Sequence, residues 1–128
     1  MTPIAERPVL TLLRLEGAAA FVAGLTGYLA LSDGWTVLIL FALAPDLALV
    51  GYAFGAQVGA RLYNLTHTYV APAILGAVGL WAAPALVPFA CVWFAHIGID
   101  RAIGYGLKSE AAFGITHLGR IGRASWPA

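Results

Sequence analysis

The chain has 128 residues, of which 61% are hydrophobic and only 10% are charged. An ordinary soluble domain carries roughly 25% charged residues, so this composition is typical of an integral membrane protein, and we expect the lipid bilayer to be its first partner. Seven basic and six acidic side chains give a formal net charge of +1. That balance excludes a strong electrostatic case for nucleic-acid binding, which requires a clustered basic surface.

The apolar segments predict a single membrane domain, 1–128, with four transmembrane helices. From Leu62 to Ala95 the sequence contains no Asp, Glu, Lys or Arg. This segment is too long for one span of about 20 residues and has the length of two. We therefore expect an all-α, four-helix transmembrane bundle with a short polar tail. The predicted spans are 9–31, 35–54, 60–81 and 85–105, and the predicted tail is 106–128.

The positions of the basic residues predict the orientation of the bundle. Arg7 and Arg14 flank the first helix, Arg61 lies at the link between the second and third helices, and four further basic residues lie at or beyond the end of the fourth. The turns around Asp33 and Pro84 carry none. Because cytoplasmic flanks are enriched in Lys and Arg, we expect both termini in the cytoplasm.

The first helix combines an acid with a stripe of small residues. Ala19, Ala23 and Gly27 repeat at four-residue spacing, which allows a neighbouring helix to approach closely in lipid. Glu16 lies one turn before this stripe.

The second helix carries a single charge, Asp46, directly after Pro45. Proline removes one backbone hydrogen bond and kinks a helix, so a carbonyl becomes available beside an acid. This combination suggests a site. An Asp that only accepts a hydrogen bond or an Arg from an adjacent helix would explain it equally well.

The third helix begins with a polar face. Its first two turns carry Arg61, Asn64, His67 and Thr68, which fall within an arc of about 120° on a helical wheel. Such a face must point into the bundle or towards water. Pro72 predicts a bend after it.

The fourth helix places three ionisable residues inside an apolar segment. His96 and Asp100 are four residues apart and share one face, whereas Arg101 points about 100° round the helix axis. Each such residue costs about 2.5–3.5 kcal/mol to insert into hydrocarbon, so all three need partners, water or an interface. The glycine-rich tail adds Lys108 and His117, and a fold-back of the tail would bring His117 near them.

The predicted orientation places these polar side chains together in the cytoplasmic half of the bundle. At 1.5 Å per residue, His67 and His96 both lie roughly 10 to 14 Å below the cytoplasmic face. The convergence of polar side chains from four helices in the same half of the bundle indicates a functional site.

Five strings identify a resemblance that covers most of the chain. They are LRLEG (13–17), APDLALVGY (44–52), YNLTHTYVAP (63–72), AHIGIDRAIGYGLK (95–108) and FGITHLGRIG (113–122). In this order they resemble a family of small bacterial integral membrane proteins known only as a domain of unknown function. The resemblance implies a four-span membrane protein and no particular reaction. A weaker likeness is to membrane-bound metal-dependent hydrolases, which also pair a Pro-Asp step with scattered histidines; the second Asp of their acidic cluster is missing after Asp46.

Neutral imidazoles and carboxylates at one depth suggest a metal site. Zinc, iron and manganese accept such ligands, and a metal with an open position turns bound water into a nucleophile. The candidate ligands are Asp46, His67, His96, Asp100 and His117. Glu16 would accept a proton, and Arg101 would hold a phosphate or carboxylate. Arg61, Asn64 and Lys108 are further polar candidates. The function would be a metal-dependent hydrolase of a lipid-like substrate, and a lipid-like or small anionic ligand would be its partner.

A structural network is an alternative explanation of the same residues. Asp100 paired with Arg61, or Asp46 paired with Arg101, would neutralise charge and fix the helix register without chemistry. Buried pairs of this kind contribute little net stability, because desolvation offsets their attraction.

Two further functions remain open. Axial ligation by His67 and His96 on adjacent antiparallel helices would make a haem protein. A carrier or proton relay would use the intramembrane acids and histidines. It would require a homo-oligomer, since four helices are few for alternating access.

Overall fold

The computed structural model describes residues 6–32 and 34–121. Five α-helices are described, α1 (Arg7–Leu31), α2 (Trp35–Leu43), α3 (Ala56–Thr66), α4 (Val70–Ala82) and α5 (Val87–Ile103). A 3-10 segment, Ala44–Phe54, continues α2, and a 3-10 turn, Pro84–Leu86, precedes α5. They are followed by two short strands, β1 (Ile115–Thr116) and β2 (Gly119–Arg120). Asp33 of the predicted first turn and Arg123 of the predicted tail lie outside the described residues.

Four helical segments are long and apolar enough to cross a membrane, as the composition predicts. They are Arg7–Leu31, Trp35–Phe54, Ala56–Ala82 and Pro84–Ile103. The third begins four residues earlier than predicted, because Gly55 alone, at φ 114°, makes the turn. The fourth ends at Ile103, where Gly104 adopts φ 99° and closes the helix in the left-handed conformation.

Apolar side chains lie on the outside of the bundle and several polar side chains lie inside it, which is the reverse of the arrangement in a soluble protein. Large apolar side chains cover the outside of the helices, and Trp81 is 94% exposed. The buried polar residues are His67, His96, Arg101, Lys108 and Thr116. A bundle of this kind presents an apolar surface to its surroundings and keeps its polar side chains inside, which agrees with a membrane environment.

The two longest α-helices, α1 and α5, lie against each other through glycine. A Cβ added to Gly24 would lie 2.6 Å from the Cys91 carbonyl oxygen, and one on Gly98 would lie 2.7 Å from the Gly17 carbonyl oxygen. The contact stripe of α1 therefore differs from the predicted one. Ala23 of that predicted stripe is exposed, as is Ala19, and only Gly27 faces α5.

The kink predicted at Pro45 takes the form of a change in helix type. Proline cannot donate a backbone hydrogen bond, and the chain continues from Ala44 as a 3-10 helix. Close contact holds this segment against α3, since a Cβ on Gly51 would lie 2.7 Å from Leu62 Cδ1. The 3-10 segment and α3 form a hairpin that turns Asp46 towards the centre of the bundle.

The tail folds back over one end of the bundle. Strands β1 and β2 pair in antiparallel register, with Ile115 opposite Arg120, and Lys108 forms a further bridge with Thr116. Asn64 fastens the tail to α3, because its side chain exchanges two hydrogen bonds with the Lys108 backbone, at 2.8 and 2.7 Å.

Candidate metal centre

Four ligand-type side chains converge inside this end of the bundle. Asp46 comes from the 3-10 segment, His67 follows α3, and His96 and Asp100 lie one turn apart on α5. One ligand atom from each lies within 4.8 Å of the other three. The structure thus brings together four of the five ligand candidates, from segments far apart in sequence.

Five of the six distances within this group are close to those of a tetrahedral metal site, and the sixth, between the carboxylate oxygens of Asp46 and Asp100, is within 4.8 Å. The Nε2 atoms of His67 and His96 are 3.1 Å apart. Asp46 Oδ1 lies 3.2 and 3.4 Å from them, and Asp100 Oδ2 lies 3.4 Å from both. A tetrahedral metal with bonds of about 2.0–2.2 Å holds its ligand atoms about 3.3–3.6 Å apart. The ligand atoms are therefore already close to the spacing that such an ion requires.

Backbone carbonyls fix the tautomer of both imidazole rings. His67 Nδ1 lies 2.9 Å from the Tyr63 carbonyl oxygen, and His96 Nδ1 bonds the carbonyl oxygen of Ala42. A carbonyl oxygen only accepts, so each Nδ1 must carry its proton. In the neutral rings both Nε2 atoms then direct a lone pair at the centre of the group. Metal-binding histidines are commonly oriented in this way.

With both rings neutral and both carboxyls ionised, the group would consist of acceptors only. The two Nε2 atoms face each other at 3.1 Å, with a carboxylate oxygen on either side. Without a proton or a cation between them, these four atoms repel one another and form no hydrogen bond. A divalent cation would neutralise the two carboxylates and satisfy all four atoms.

The helix containing His67 is broken at the site, and the break precedes the predicted bend at Pro72. Proline at 72 has no amide hydrogen, and its ring crowds the carbonyl four residues earlier, so helical structure stops after Thr66 and resumes at Val70. His67 lies in this gap and is fully buried. The Tyr63 ring stacks on its imidazole with 3.7 Å between centroids.

Side chains of α5 satisfy the carbonyls that the break leaves free. Trp93 Nε1 donates to the Thr66 carbonyl oxygen at 2.7 Å, and Arg101 Nη2 donates to the His67 carbonyl oxygen at 2.8 Å. The helix that supplies two ligands thus also anchors the backbone of a third. Tyr63 and Trp93 were not among the sequence candidates, although the spacing of four residues between Tyr63 and His67 indicates that their rings meet.

The predicted catalytic pair lies apart from the four ligands. Arg101 is buried, and its hydrogen bonds within the described residues go to the carbonyl oxygens of His67 and Tyr105. Its side chain contacts the backbone of His67 and is not one of the four residues of the group. Glu16 is exposed on α1 and does not belong to the group. The roles predicted for both residues in a reaction stay predictions.

His117, the fifth ligand candidate, lies in the tail and outside the group. Its Nδ1 accepts a hydrogen bond of 2.8 Å from the Leu107 amide. Burial lowers the pKa of His117, and the positive charge of Arg101 lowers it further. The tail folds back as considered from the sequence, but its hairpin directs His117 to its own backbone.

The remaining polar candidates hold or line the tail. Arg61 forms a bidentate pair with Glu110 at 2.9 and 3.2 Å, and this bond lowers the pKa of the Glu110 carboxyl. Lys108 is only 6% exposed, and its ammonium lies 3.7 Å from the Phe113 ring centroid and 4.7 Å from that of Tyr63. Burial lowers the pKa of Lys108.

A pocket of about 330 Å³ lies between the tail and the carboxylates of the group. It is lined by Asp46, Leu49, Tyr63, Asp100, Tyr105, Lys108, Phe113 and Ile121. Asp46 borders it with a side chain that is 44% exposed, whereas both imidazoles are almost fully enclosed. A small molecule in the pocket would reach the group from the carboxylate side.

Comparison with known protein families identifies the family to which the chain belongs. The model of the family described as "Domain of unknown function (DUF4260)" matches residues 10–121. The chain belongs to this family. The match confirms the resemblance seen in the five sequence strings, and it spans all four residues of the group and the described tail. No curated protein and no solved structure matches the chain. The function of this DUF4260 protein must therefore be inferred from the geometry of the group.

Proposed function

We propose that the protein is an integral membrane protein that binds one divalent transition-metal ion through Asp46, His67, His96 and Asp100. One observation carries this proposal: two imidazoles with Nε2 inward and two carboxylates converge, with both carboxylate oxygens 3.2–3.4 Å from the two Nε2 atoms and all four ligand atoms within 4.8 Å of one another. The basic flanks support an orientation in which the site lies in the cytoplasmic half of a bacterial inner membrane.

The ligand set favours zinc over other metals. Two nitrogens and two oxygens in a tetrahedral arrangement are typical of zinc, while iron and manganese commonly take additional ligands. The ligands contribute a charge of −2, so a divalent ion gives a neutral centre. This neutrality matters in a span, where a net charge is costly.

Metal analysis of the detergent-purified protein tests the proposal. We expect about one zinc, iron or manganese per chain in the wild type, and loss of that metal in His96→Ala. His117→Ala is the matched control, since it removes a histidine that lies outside the group. A chain that keeps its metal in His96→Ala, or loses it equally in His117→Ala, would overturn the proposal.

An absorption spectrum of the same samples tests the haem alternative. The His67 and His96 Nε2 atoms face each other at 3.1 Å with carboxylates beside them, which leaves no room for a porphyrin between the rings. We therefore expect no Soret band. A Soret band that disappears in His96→Ala would favour haem over a tetrahedral metal.

Metal-dependent hydrolysis of a lipid-like substrate is a second candidate function, favoured by the pocket beside the carboxylates. The half-exposed Asp46 is the ligand that water or substrate reaches first. Exchange of one carboxylate oxygen for water would provide the open position that a catalytic metal needs. Hydrolysis of a short-chain ester by metal-loaded protein, absent after chelation and restored by zinc, tests this function.

Glu16→Gln separates two roles of that residue in such an assay. Glu16 does not line the pocket, so we expect unchanged hydrolysis. A fall in kcat with unchanged metal content would instead support its predicted role as proton acceptor.

A further inference from the structure

The pocket beside the metal centre changes its charge when metal binds. Its charged lining residues are Asp46, Asp100 and Lys108. Without metal they sum to a single negative charge. With a divalent ion on the two carboxylates, the same walls carry a single positive charge, which belongs to Lys108.

Within the described residues, Lys108 makes no direct ion pair, although the carboxylates of Asp46 and Asp100 lie in the same pocket. Its Nζ donates to the Phe113 carbonyl oxygen at 3.3 Å and otherwise faces the Tyr63 and Phe113 rings. Among residues 6–32 and 34–121, it makes no ion pair with a carboxylate within 4.0 Å. A lysine that is only 6% exposed is normally paired, and an ammonium has three donors, of which the protein uses one.

The rest of the pocket is apolar and small. Leu49, Phe113 and Ile121 form walls around the charged residues. A volume of about 330 Å³ is near the lower end of the usual range for ligand sites, so the pocket holds a head group and the first part of a chain. Leu49 belongs to the apolar segment Trp35–Phe54, along which a longer chain would leave towards the bilayer.

We propose that this pocket binds the head group of a monoanionic amphiphile, a carboxylate or phosphate ester with an alkyl chain, through a charge-assisted hydrogen bond from Lys108. This inference rests on the proposed metal centre, because metal is what leaves Lys108 as the only net charge of the pocket. The alkyl chain distinguishes this ligand from a free inorganic anion.

Calorimetric titration with hexanoate, hexanol and acetate tests the proposal on detergent-purified protein of known metal content. Hexanoate shares its chain with hexanol and its charge with acetate. We expect zinc-loaded wild type to bind hexanoate at least about tenfold more tightly than hexanol, which is the usual strength of a charge-assisted hydrogen bond. We expect a preference of at least about tenfold over acetate as well, because burial of each methylene group of the alkyl chain adds to the affinity. Chelation of the metal should remove the preference for hexanoate over hexanol.

Two variants assign the preference to Lys108. Lys108→Met retains most of the apolar side chain and the backbone that bonds Asn64, so we expect normal metal content and loss of the preference for hexanoate over hexanol. Arg7→Met is the control, since it removes an exposed cation outside the pocket. Lys108→Arg, which keeps the charge, should retain part of the preference.

The possible results distinguish failure of the amphiphile proposal from failure of the metal-site proposal. Full metal content with equal binding of hexanoate and hexanol overturns the amphiphile and leaves the metal centre standing. Acetate binding as tight as hexanoate also overturns it, in favour of a free anion. A preference for hexanoate over hexanol that persists after chelation overturns the charge balance proposed here, whereas purified wild type that holds no metal overturns the metal centre.

Discussion

In each imidazole of the candidate centre, the hydrogen bond of Nδ1 determines the tautomer of the neutral ring. Backbone carbonyls of Tyr63 and Ala42 take the Nδ1 protons and leave both Nε2 atoms as acceptors. A purely structural network would need at least one donor in the group, for example a protonated histidine between carboxylates. With both rings neutral, all four inward atoms are acceptors and a cation would satisfy them, whereas one protonated imidazole would satisfy the same atoms in a structural network.

At the residue level, the two carboxylates should contribute unequally to metal affinity. Asp100 is 16% exposed and Asp46 is 44% exposed, so water can replace Asp46 more readily. We expect Asp46→Asn to weaken zinc binding by more than the roughly 10–100-fold typical of residues beyond the ligands, and Asp100→Asn to weaken it further still. Competition with a chelator measures both affinities.

Glu16→Gln is the control for these two substitutions. It removes an exposed acid outside the group, and we expect its zinc affinity to equal that of the wild type. Equal losses in all three variants would show that net charge, and not ligation, determines affinity.

At the level of the helices, two prolines decide where the ligands lie. Pro45 is the second residue of the 3-10 segment that carries Asp46, and Pro72 breaks the helix at His67. The sequence predicted both irregularities, along with the shared face of His96 and Asp100. It did not predict that the first irregularity is a 3-10 segment or that the second is a break in the helix. A proline disturbs the turn before it, so the break falls at His67 and not at Pro72, and a side chain expected on a regular helix lies in a gap.

Substitution of Arg101 tests the link between the break and the centre. Arg101→Met removes the donor to the His67 carbonyl oxygen, and we expect zinc affinity to fall about 10–100-fold, as for other residues that orient a ligand. Arg14→Met is a matched control, since Arg14 also donates to a backbone carbonyl oxygen, that of Ala102, at 2.8 Å.

The result also separates two roles for Arg101. Equal affinity in the two variants would contradict a positioning role. Unchanged zinc affinity in Arg101→Met with impaired ester hydrolysis would support the predicted role of Arg101 in holding an anion.

At the level of the whole molecule, the tail closes one end of the bundle through contacts that the sequence could not specify. The reciprocal bonds of Asn64 with Lys108 and the pair of Arg61 with Glu110 join residues more than 40 positions apart. Periodicity predicts which face of a helix is polar, but it does not predict the path of a glycine-rich tail. This is why His117 was expected to be a ligand and is found bonded to Leu107.

Closure of the tail should depend on pH. Burial and the charge of Arg101 lower the pKa of His117 below its ordinary value of 6.5, so the detached tail binds a proton more readily than the closed one. Closure is therefore strongest above pH 6.5 and weakens as pH falls through the lowered pKa. Hydrogen exchange of amides 105–121 at pH 7.5 and 5.0 should show faster opening at the lower pH.

His117→Gln is the control, because its side chain does not titrate. We expect most of the pH dependence of the protection factors in the tail, which correct for the intrinsic pH dependence of amide exchange, to disappear in this variant. Persistence of the full effect would assign it to another group.

The distribution of ligands along the chain also determines when the centre can exist. Asp46 and His67 belong to the second and third membrane-capable segments, whereas His96 and Asp100 lie near the end of the fourth. During synthesis, a ribosome that has completed three segments has delivered only half of the ligands. The proposed centre must therefore load its ion after the fourth segment has been made, and the fully translated chain is the form that a cellular metal donor would meet.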